Sequence, residues 1–320
     1  MQSRKKILIT GGSGMIGNRL TELLIQNRYE VSHVGRSKKT KNIRTFIWDP
    51  RRGEIEDGAI RDIDVIIHLA GAGIADKRWN EKWKEEILFS RTQSTRLLKE
   101  TLAKEEHRVN IFISASGIGY YGLEEKGSEF VESDAPGQDF MARVATAWEG
   151  EVDKMHEAGL RIVKIRTGVV LSREGGALKK LADPVKFFVG ASLGSGKQLV
   201  NWIHIDDLCR IFIRAIEDPS MQGPYNAVAP QPVTNKTLTV EIARALKRPL
   251  WLPPVPGFVV KLIAGDVAEI VLKGGKVSSQ KIEREGFDFQ FKDVRGALID
   301  LLATKSRPYR NGTFGRAQRN

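Results

Sequence analysis

The chain has 320 residues, 41% of them hydrophobic, a net charge of +12 and one cysteine, Cys209. This length and hydrophobic content predict a globular protein with one large α/β domain or two closely joined ones. A single cysteine excludes an internal disulfide framework, and no apolar run is long enough for a signal peptide core or a membrane span. We therefore expect a cytoplasmic protein without a membrane partner.

Short apolar runs rich in β-branched residues alternate with helical patterns through the first half of the chain. Helices are predicted over residues 15–26, 81–104 and 139–157. Strands are predicted, in chain order, at KILIT, YEVSHVG, RTFIWD, DVIIHLA, VNIFISA and RIVKIRTGVVL. The alternation is typical of parallel βαβ units, and the nearly continuous apolar strands indicate a sheet covered on both faces. The predicted fold class is α/β, a Rossmann-type doubly wound parallel sheet.

The amino-acid composition changes after Leu171, where glycine and lysine become frequent. Near the C-terminus, FVVKLIAGDVAEIVL has apolar residues at helical spacing, which predicts one amphipathic helix packed on another element. We therefore expect a smaller, mostly C-terminal α/β lobe that lies over the carboxyl edge of the sheet and encloses a small-molecule substrate. The predicted domains are a Rossmann domain over residues 1–171, completed by about 200–230, a substrate lobe over 172–199 and 231–303, and a basic tail over 304–320.

Residues 7–17, ILITGGSGMIG, are a predicted strand that runs into a glycine-rich turn and a helix. Gly11 allows a tight turn, Gly14 allows the backbone to approach a pyrophosphate, and Gly17 allows the helix and strand to pack closely. The free amide groups at the helix start then face the phosphates. A glycine-rich turn without a ligand is the alternative, and a nucleoside triphosphate loop is disfavoured because its Gly-Lys-Ser/Thr ending is missing.

The second predicted strand ends in VGRSKKTK, where an NAD-binding protein would normally have an acidic residue for the ribose hydroxyls. Arg36 and Ser37 stand there instead, followed by Lys38 and Lys39. A guanidinium can pair with the 2′-phosphate of NADP(H), which a carboxylate would repel. The sequence therefore predicts NADP(H) as the cofactor, with a solvated basic turn as the alternative.

Several further motifs follow the glycine turn in a recognisable order. They are TGGSGMIG (10–17), DVIIHLAG (64–71), SASGIGYYG (114–122), RTGVVL (166–171) and WIHIDDL (202–208). Together they resemble the extended short-chain dehydrogenases/reductases, a group that includes nucleotide-sugar epimerases. The run that begins GAGIADKRWNEKW, the segment AWEGE and the ending from RPLWLPPVPG onward are similar to the atypical epimerase-family proteins of the short-chain dehydrogenase family 39U group.

This resemblance implies an NADP-binding Rossmann domain, a small C-terminal domain and an oxidoreductase or epimerase activity without an assigned substrate. It places one group of residues around the pyrophosphate, namely Thr10, Gly11, Gly14, Met15, Ile16 and Gly17. It also places Arg36 at the adenosine phosphate and Leu69, Ala70 and Gly71 along the cofactor. Ser116 matches the serine that sits beside the reacting carbonyl.

The helix that follows the serine strand, DFMARVATAWEGEVDKM, lacks the Tyr-x-x-x-Lys pair that usually relays a proton in this superfamily. Three interpretations remain open. In the first, another side chain transfers the proton. Tyr121 or Lys77 is then the candidate partner of Ser116, and the further alternatives are Tyr120, Arg78, Glu149 and His204. In the second, hydride transfer proceeds without a dedicated acid, and in the third the protein binds NADPH without turnover, as a sensor or scaffold.

Other functional classes have weaker support in the sequence. The five histidines are scattered without a recognised metal-ligand spacing, so no metal site is predicted. Nucleic-acid binding would depend on basic segments alone, and no recognised nucleic-acid motif is present. The structural alternative to a catalytic role for His204 is that it caps the helix that starts near Asp206. Cys209 is expected to be a buried packing thiol. The sequence leaves the substrate and the oligomeric state open, including a homo-oligomer.

Overall fold

The computed structural model describes residues 4–38, 42–124 and 127–303. The predicted basic tail, residues 304–320, and Lys39 of the basic turn lie outside these ranges. No helix within them is long and apolar enough to cross a membrane.

The described residues form twelve strands and ten α-helices. The strands are β1 (Lys6–Thr10), β2 (Glu30–Gly35), β3 (Thr45–Asp49), β4 (Glu54–Ile55), β5 (Val65–His68), β6 (Ile111–Gly117), β7 (Arg161–Thr167), β8 (Val169–Ser172), β9 (Leu199–Val200), β10 (Trp202–His204), β11 (Gly223–Ala227) and β12 (Val233–Thr234). The helices are α1 (Met15–Gln26), α2 (Glu81–Lys104), α3 (Phe140–Asp153), α4 (Gly176–Lys186), α5 (Ile205–Glu217), α6 (Asn235–Leu246), α7 (Gly257–Ala264), α8 (Val267–Leu272), α9 (Gln280–Arg284) and α10 (Val294–Leu298).

Eight strands form the central sheet in the order β11-β7-β6-β5-β1-β2-β3-β4. All neighbours are parallel except β4, which pairs antiparallel with β3. The order reverses on either side of β1, which has β2 on one side and β5 on the other. Ligands of such sheets bind outside the carboxyl ends of the strands at this reversal. The predicted doubly wound, Rossmann-type sheet is confirmed.

Apolar side chains cover both faces of this sheet, as the continuous strand patterns predicted. In β1, Ile7 and Ile9 join a buried cluster with α1 and α5, whereas Leu8 joins a second cluster with α2 and the helix α3. Alternate residues of a strand point to opposite faces, so a fully apolar strand requires a helix layer on each side. The glycine turn after β1 is thereby fixed between two packed layers.

A third buried cluster forms a smaller lobe around Trp202, whose indole N–H donates to the carbonyl of Gln231 at 2.9 Å. Helices α4, α6 and α10 contribute its apolar residues. Strand β10 pairs with β8 in parallel, and β12 pairs with β9 antiparallel. These elements stand at the carboxyl side of the sheet because β8 follows directly from the carboxyl end of β7 and pairs with β10.

The segment FVVKLIAGDVAEIVL differs from its prediction as one packed helix. It forms two helices, α7 and α8, which are separated at Gly265 with φ +62°. Glycine adopts this left-handed conformation at little cost and so ends the helix. Phe258, Leu262 and Ile263 of α7 are 72%, 72% and 70% exposed. The helical period was therefore correct, but the prediction of a single helix with a packed apolar face was wrong.

Candidate functional site

The glycine turn, residues 11–14, joins β1 to α1 and has Ser13 as its one residue with a side chain. Gly11 has φ +69°, and Gly14 is the N-cap of α1 with no side-chain capping hydrogen bond. A Cβ at Gly11 would lie 2.9 Å from the carbonyl carbon of Leu69, and one at Gly17 would lie 2.5 Å from the carbonyl oxygen of Gly11. The turn is closed by backbone packing, and the N-cap gives the first amides of α1 no side-chain acceptor, which suits an anion at this position.

A cavity of about 1420 Å³ begins at this turn. It continues along the ends of β2 and β3, the loop after β5 and the first half of α2. Among the predicted cofactor and catalytic residues, those that line it are Gly11, Gly14, Arg36, Ser37, Leu69, Ala70, Gly71 and Lys77. The predicted residues that are not part of its lining are Thr10, Met15, Ile16, Gly17, Ser116 and Tyr121. The structure thus brings Lys77 into the same cavity as the glycine turn.

The turn after β3 forms part of the cavity wall that the sequence analysis missed. Asp49 accepts the backbone N–H of Arg51 at 2.9 Å, and both residues line the cavity. The Arg51 guanidinium pairs with Glu86 and lies 4.7 Å from the ring centroid of Phe89, both on α2. The available signal was the polar turn DPRR directly after a predicted strand, because parallel neighbours end at the same edge of a sheet.

His33 on β2 forms the floor under Gly12. A Cβ at Gly12 would lie 2.5 Å from the imidazole ring, so only glycine fits against it. Burial lowers the pKa of His33 to about 4, so its ring is neutral at physiological pH. Thr21 donates its hydroxyl hydrogen to the carbonyl of Gly17 at 2.7 Å and lies 2.8 Å from Nε2 of His33. These contacts fix the back of the glycine turn to the second strand.

Thr10 does not face the cavity; it supports the wall from behind. Its Oγ1 accepts the backbone N–H groups of Leu69 and Ala70, both at 3.2 Å, and lies 2.7 Å from Nδ1 of His68. The ring of His68 is fully buried, and burial with the nearby charge of Arg91 lowers its pKa to about 3. The neutral ring can therefore accept the Thr10 hydroxyl hydrogen at Nδ1.

The opposite side of the His68 ring fixes its tautomer. Nε2 lies 3.2 Å from the hydroxyl of Ser94 and 3.1 Å from that of Thr95 on α2. Both hydroxyls donate their own hydrogens to carbonyl groups of the preceding turn, so they accept from Nε2–H. A chain of hydrogen bonds thus runs from α2 through His68 and Thr10 to the amides that border the cavity.

Thr10→Val should destabilise the protein by about 2 kcal/mol, because a buried hydrogen-bond group left without its partner costs about 1–3 kcal/mol. Valine keeps the branched shape but leaves the N–H of Ala70 and Nδ1 of His68 unpaired. Chemical denaturation monitored by tryptophan fluorescence measures the change. The control is Thr92→Val on the exposed side of α2, where the hydroxyl donates only to the carbonyl of Leu88. Equal stability of the two variants would contradict the supporting role of Thr10.

Ser116 lies in a buried ionic cluster. Its hydroxyl donates to Oε1 of Glu149 at 2.7 Å, and Arg166 donates to both oxygens of the same carboxylate at 2.8 and 2.9 Å. Lys164 adds a second positive charge at 3.4 Å. Burial raises the pKa of Glu149, but the hydrogen bonds and charge of Arg166 together with the charge of Lys164 outweigh it and hold the pKa below its ordinary value.

Tyr121 belongs to the same cluster. Its hydroxyl donates to Oδ1 of Asn226 at 2.7 Å and accepts from Nη1 of Arg166 at 3.1 Å. Burial raises the pKa of Tyr121 to about 12, despite the opposing charge of Arg166. The ring stacks on Phe130 with centroids 5.0 Å apart. Ser116 and Tyr121 therefore belong to one hydrogen-bond network through Glu149 and Arg166. Each hydroxyl group already donates its hydrogen to an acceptor within the protein.

The remaining candidates have structural contacts. His204 caps α5, where Nδ1 accepts the N–H of Asp206 at 3.1 Å, and its ring stacks on Phe291 at 3.7 Å. Cys209 is fully buried, and burial raises the pKa of its thiol. Tyr120 lies under the guanidinium of Arg166, at 3.5 Å from its ring centroid. No group of three or more potential ligands in the described ranges could hold a metal ion.

The fold and the glycine turn define a dinucleotide-binding protein class, and comparison with known proteins gives the family. The chain belongs to the NAD dependent epimerase/dehydratase family, whose model matches residues 7–228. A second model, for a domain of unknown function named DUF1731, matches residues 255–301. These matches confirm the resemblance that the sequence motifs indicated.

The relatives are similar over nearly their whole length. An epimerase family protein of Staphylococcus epidermidis is 34% identical over 300 residues, which cover 93% of this chain and 99% of the relative. A chloroplastic SDR39U1 homologue of Arabidopsis thaliana is 35% identical over 94% of this chain and 88% of its own length. The crystal structure of human epimerase family protein SDR39U1 with NADPH matches with a TM-score of 0.83 and 31% identity over 93% of this chain and 99% of that one.

Proposed function

We propose that the protein binds NADP(H) in the cavity and transfers hydride reversibly to or from a small molecule at a carbonyl or carbinol carbon. The main support is the glycine turn at the reversal of the strand order, where a Cβ on Gly11 or Gly17 would meet backbone atoms and where no side chain caps α1. Membership of the epimerase/dehydratase family and the likeness to an NADPH-bound structure are in accord with this.

The residues present fit the phosphates of such a cofactor. The amides at the start of α1 would hold the pyrophosphate, because the helix dipole and the unpaired N–H groups both favour an anion. Arg36 and Ser37 would hold the 2′-phosphate, since both are exposed at the cavity where β2 ends. Leu69, Ala70 and Gly71 would lie along the nicotinamide half. When bound, NADP(H) supplies or accepts the hydride.

The proton-transfer part of the proposal favours a reaction without a dedicated side-chain acid. The Ser116 hydrogen is donated to Glu149, and the Tyr121 hydrogen is donated to Asn226. For either hydroxyl to act on a substrate, it must first give up this buried partner. General acid-base help contributes about 10²- to 10⁴-fold in rate. The proposed enzyme is therefore slow, with water or the substrate's own acidic group as the proton source, and Lys77, which lines the cavity, is assigned to binding and not to proton transfer.

A non-catalytic NADPH-binding sensor is the second candidate, favoured by the same engaged hydroxyl groups. The test is protein-dependent oxidation of NADPH in the presence of a panel of aldehydes, ketones and 2-oxo acids, after titration has shown that NADPH binds. Turnover with any member of the panel supports the hydride-transfer proposal. Tight binding with no turnover across the panel supports the sensor instead.

Arg36→Glu should reverse the preference between the two nicotinamide coenzymes. The wild-type protein is expected to bind NADPH at least about tenfold more tightly than NADH, because a charge-assisted guanidinium-phosphate pair is among the stronger hydrogen bonds. A carboxylate at this position would repel the 2′-phosphate and accept the ribose hydroxyls of NADH. Titration of each coenzyme against the fluorescence of the six tryptophans measures the ratio.

Arg52→Glu is the matched control for this change. Arg52 is exposed in the neighbouring turn, pairs with Glu54 at 3.1 Å and is not part of the cavity lining. It should leave the ratio of affinities unchanged within twofold. An equal shift in both variants would show that overall charge, and not a contact at position 36, determines the preference.

A further inference from the structure

The end of the cavity away from Arg36 is also cationic. Lys77 and Arg78 lie there, on the loop between β5 and α2. In the part of the chain that the structure describes, neither forms an ion pair with a carboxylate. Arg51, which lines the same cavity, contrasts with them because it is neutralised by Glu86. Lys77 instead lies with Nζ 4.6 Å from the ring centroid of Trp83, and the acids Asp76 and Glu85 also line this cavity.

A third positive charge is buried directly behind this wall. Arg91 is only 8% exposed, and its Nη1 donates to the carbonyls of Ala72 and Ile87 at 3.1 and 2.9 Å. Its guanidinium carbon is 3.0 Å from where a Cβ on Gly71 would stand. Within residues 4–38, 42–124 and 127–303 it has no carboxylate partner either. Burial lowers the pKa of Arg91 to about 10, so it remains a cation at neutral pH.

An uncompensated buried charge is costly unless a counter-charge approaches it. Gly71 has no side chain, so only a glycine backbone separates Arg91 from the cavity. An anion bound at Lys77 and Arg78 would therefore meet two exposed cations, with the buried charge of Arg91 behind Gly71.

The loop that carries these cations is held by the smaller lobe. Nζ of Lys180 on α4 donates to the carbonyl of Ala75. Lys84 on α2 pairs at 3.1 Å with Asp266, in the turn between α7 and α8. The side chain of Arg78 lies 3.3 Å from where a Cβ on Gly265 would stand, in that same turn. The cationic end of the cavity is thus organised by contacts between the loop and the lobe.

The cavity is large enough for two ligands. Its volume of about 1420 Å³ exceeds the roughly 300–1,000 Å³ of a typical small-molecule site. A dinucleotide that extends from Arg36 past the glycine turn to Gly71 leaves the Lys77 end unfilled. The second ligand would meet Lys77 and Arg78 there, together with the neighbouring Asp76, which lines the same cavity.

We infer that the second ligand of this cavity is an anion whose phosphoryl or carboxylate oxygens bind Lys77 and Arg78, with Arg91 behind Gly71 as a fixed counter-charge. The inference rests on the proposed function, because it takes the other end of the cavity as the NADP(H) site. The planar guanidinium of Arg78 suits two oxygens of one such group, and the ammonium of Lys77 serves as a point charge. Neutral sugars, alcohols and ketones would lack this interaction.

The experiment uses the full chain saturated with NADPH, so that the cofactor phosphate sites are filled. Inorganic pyrophosphate and malonate are the probes, and their binding is measured by calorimetry. At least one should bind the wild-type protein, and Lys77→Gln and Arg78→Gln should each weaken it about tenfold, the loss expected for one charge-assisted hydrogen bond. Circular dichroism checks that each variant is folded, and two separate variants guard against the failure of one.

Lys82→Gln is the matched control, because Lys82 lines the same cavity from the first turn of α2 and carries the same charge. It should change probe affinity by less than twofold, and all three variants should keep NADPH affinity. Equal weakening in the control, loss of NADPH affinity in the loop variants, or no probe binding to the NADPH-loaded wild type would overturn the inference. Failure of NADPH to bind the wild-type protein is seen before any probe is added and counts against the proposed function itself.

Discussion

Gly17→Ala should abolish NADPH binding, with a loss of affinity of more than about 100-fold. The added Cβ would lie 2.5 Å from the carbonyl oxygen of Gly11 and 2.6 Å from Cα of Gly12. Both are backbone atoms of the turn, which cannot yield in the way that a flexible side chain can. The turn must open to admit the methyl group, and the amides of α1 then lose their arrangement around the phosphates. Overpacking of this kind also costs about 1–3 kcal/mol of folding stability.

Gly14→Ala separates the binding effect from the folding effect. Its Cβ would lie 3.3 Å from the carbonyl oxygen of Gly11, and the backbone φ of −78° suits any residue. This variant should stay close to wild-type stability yet bind NADPH less tightly, because the methyl group stands where the pyrophosphate approaches. Coenzyme titration and chemical denaturation on the same samples measure both quantities.

Gly150→Ala is the control for a glycine without a special role. It lies inside α3 with no atom within 4 Å of an added Cβ. Alanine there should leave NADPH affinity unchanged and add up to about 1 kcal/mol of stability, because glycine is unfavourable inside a helix. Wild-type NADPH affinity in Gly17→Ala would refute the role given to the turn.

The sheet and its two helix layers could be predicted because they depend on local pattern. The apolar run before Gly11 and the polar cap before α2 are visible in sequence, and the observed bounds of α1 and α2 coincide with the predicted ones. At the start of α2, Asn80 accepts the N–H of Trp83 at 2.8 Å, which is a capping contact within four residues. Such signals do not require knowledge of the tertiary structure.

The cavity wall and the charge pairing could not be predicted in the same way. Arg51 pairs with Glu86, which is 35 residues further along the chain, and Arg166 on β7 pairs with Glu149 on α3. Before the strands are paired, Glu149 is one of many acids on a helix. The break at Gly265 was also missed, because glycine inside an amphipathic pattern lowers helix propensity without fixing where the helix ends.

Glu149→Gln should lower the free energy of unfolding by about 3–5 kcal/mol at neutral pH, the range expected when one partner of a buried ion pair is removed. The amide leaves Arg166 as a buried cation without its carboxylate, whereas Lys164 keeps its pair with Asp153 at 2.8 Å. The Ser116 hydroxyl keeps an oxygen acceptor, so the loss is mainly of charge. Urea denaturation measures it. Glu157→Gln, which breaks only an exposed pair with Lys99, should have little effect.

The pH dependence of this loss identifies the charge as its cause. Because the pKa of Glu149 is lower in the folded protein than in the unfolded chain, its ionised form stabilises the fold above the unfolded pKa of about 4.3. That contribution is lost as the pH falls through the folded pKa, so wild type and Glu149→Gln should approach each other in stability as the pH falls below the unfolded pKa of about 4.3. The double variant Glu149→Leu with Arg166→Met should recover much of the loss, since apolar replacement of a whole buried pair is often neutral. A pH-independent difference that the double variant fails to reduce would mean that packing around Glu149, and not its charge, stabilises this edge of the sheet.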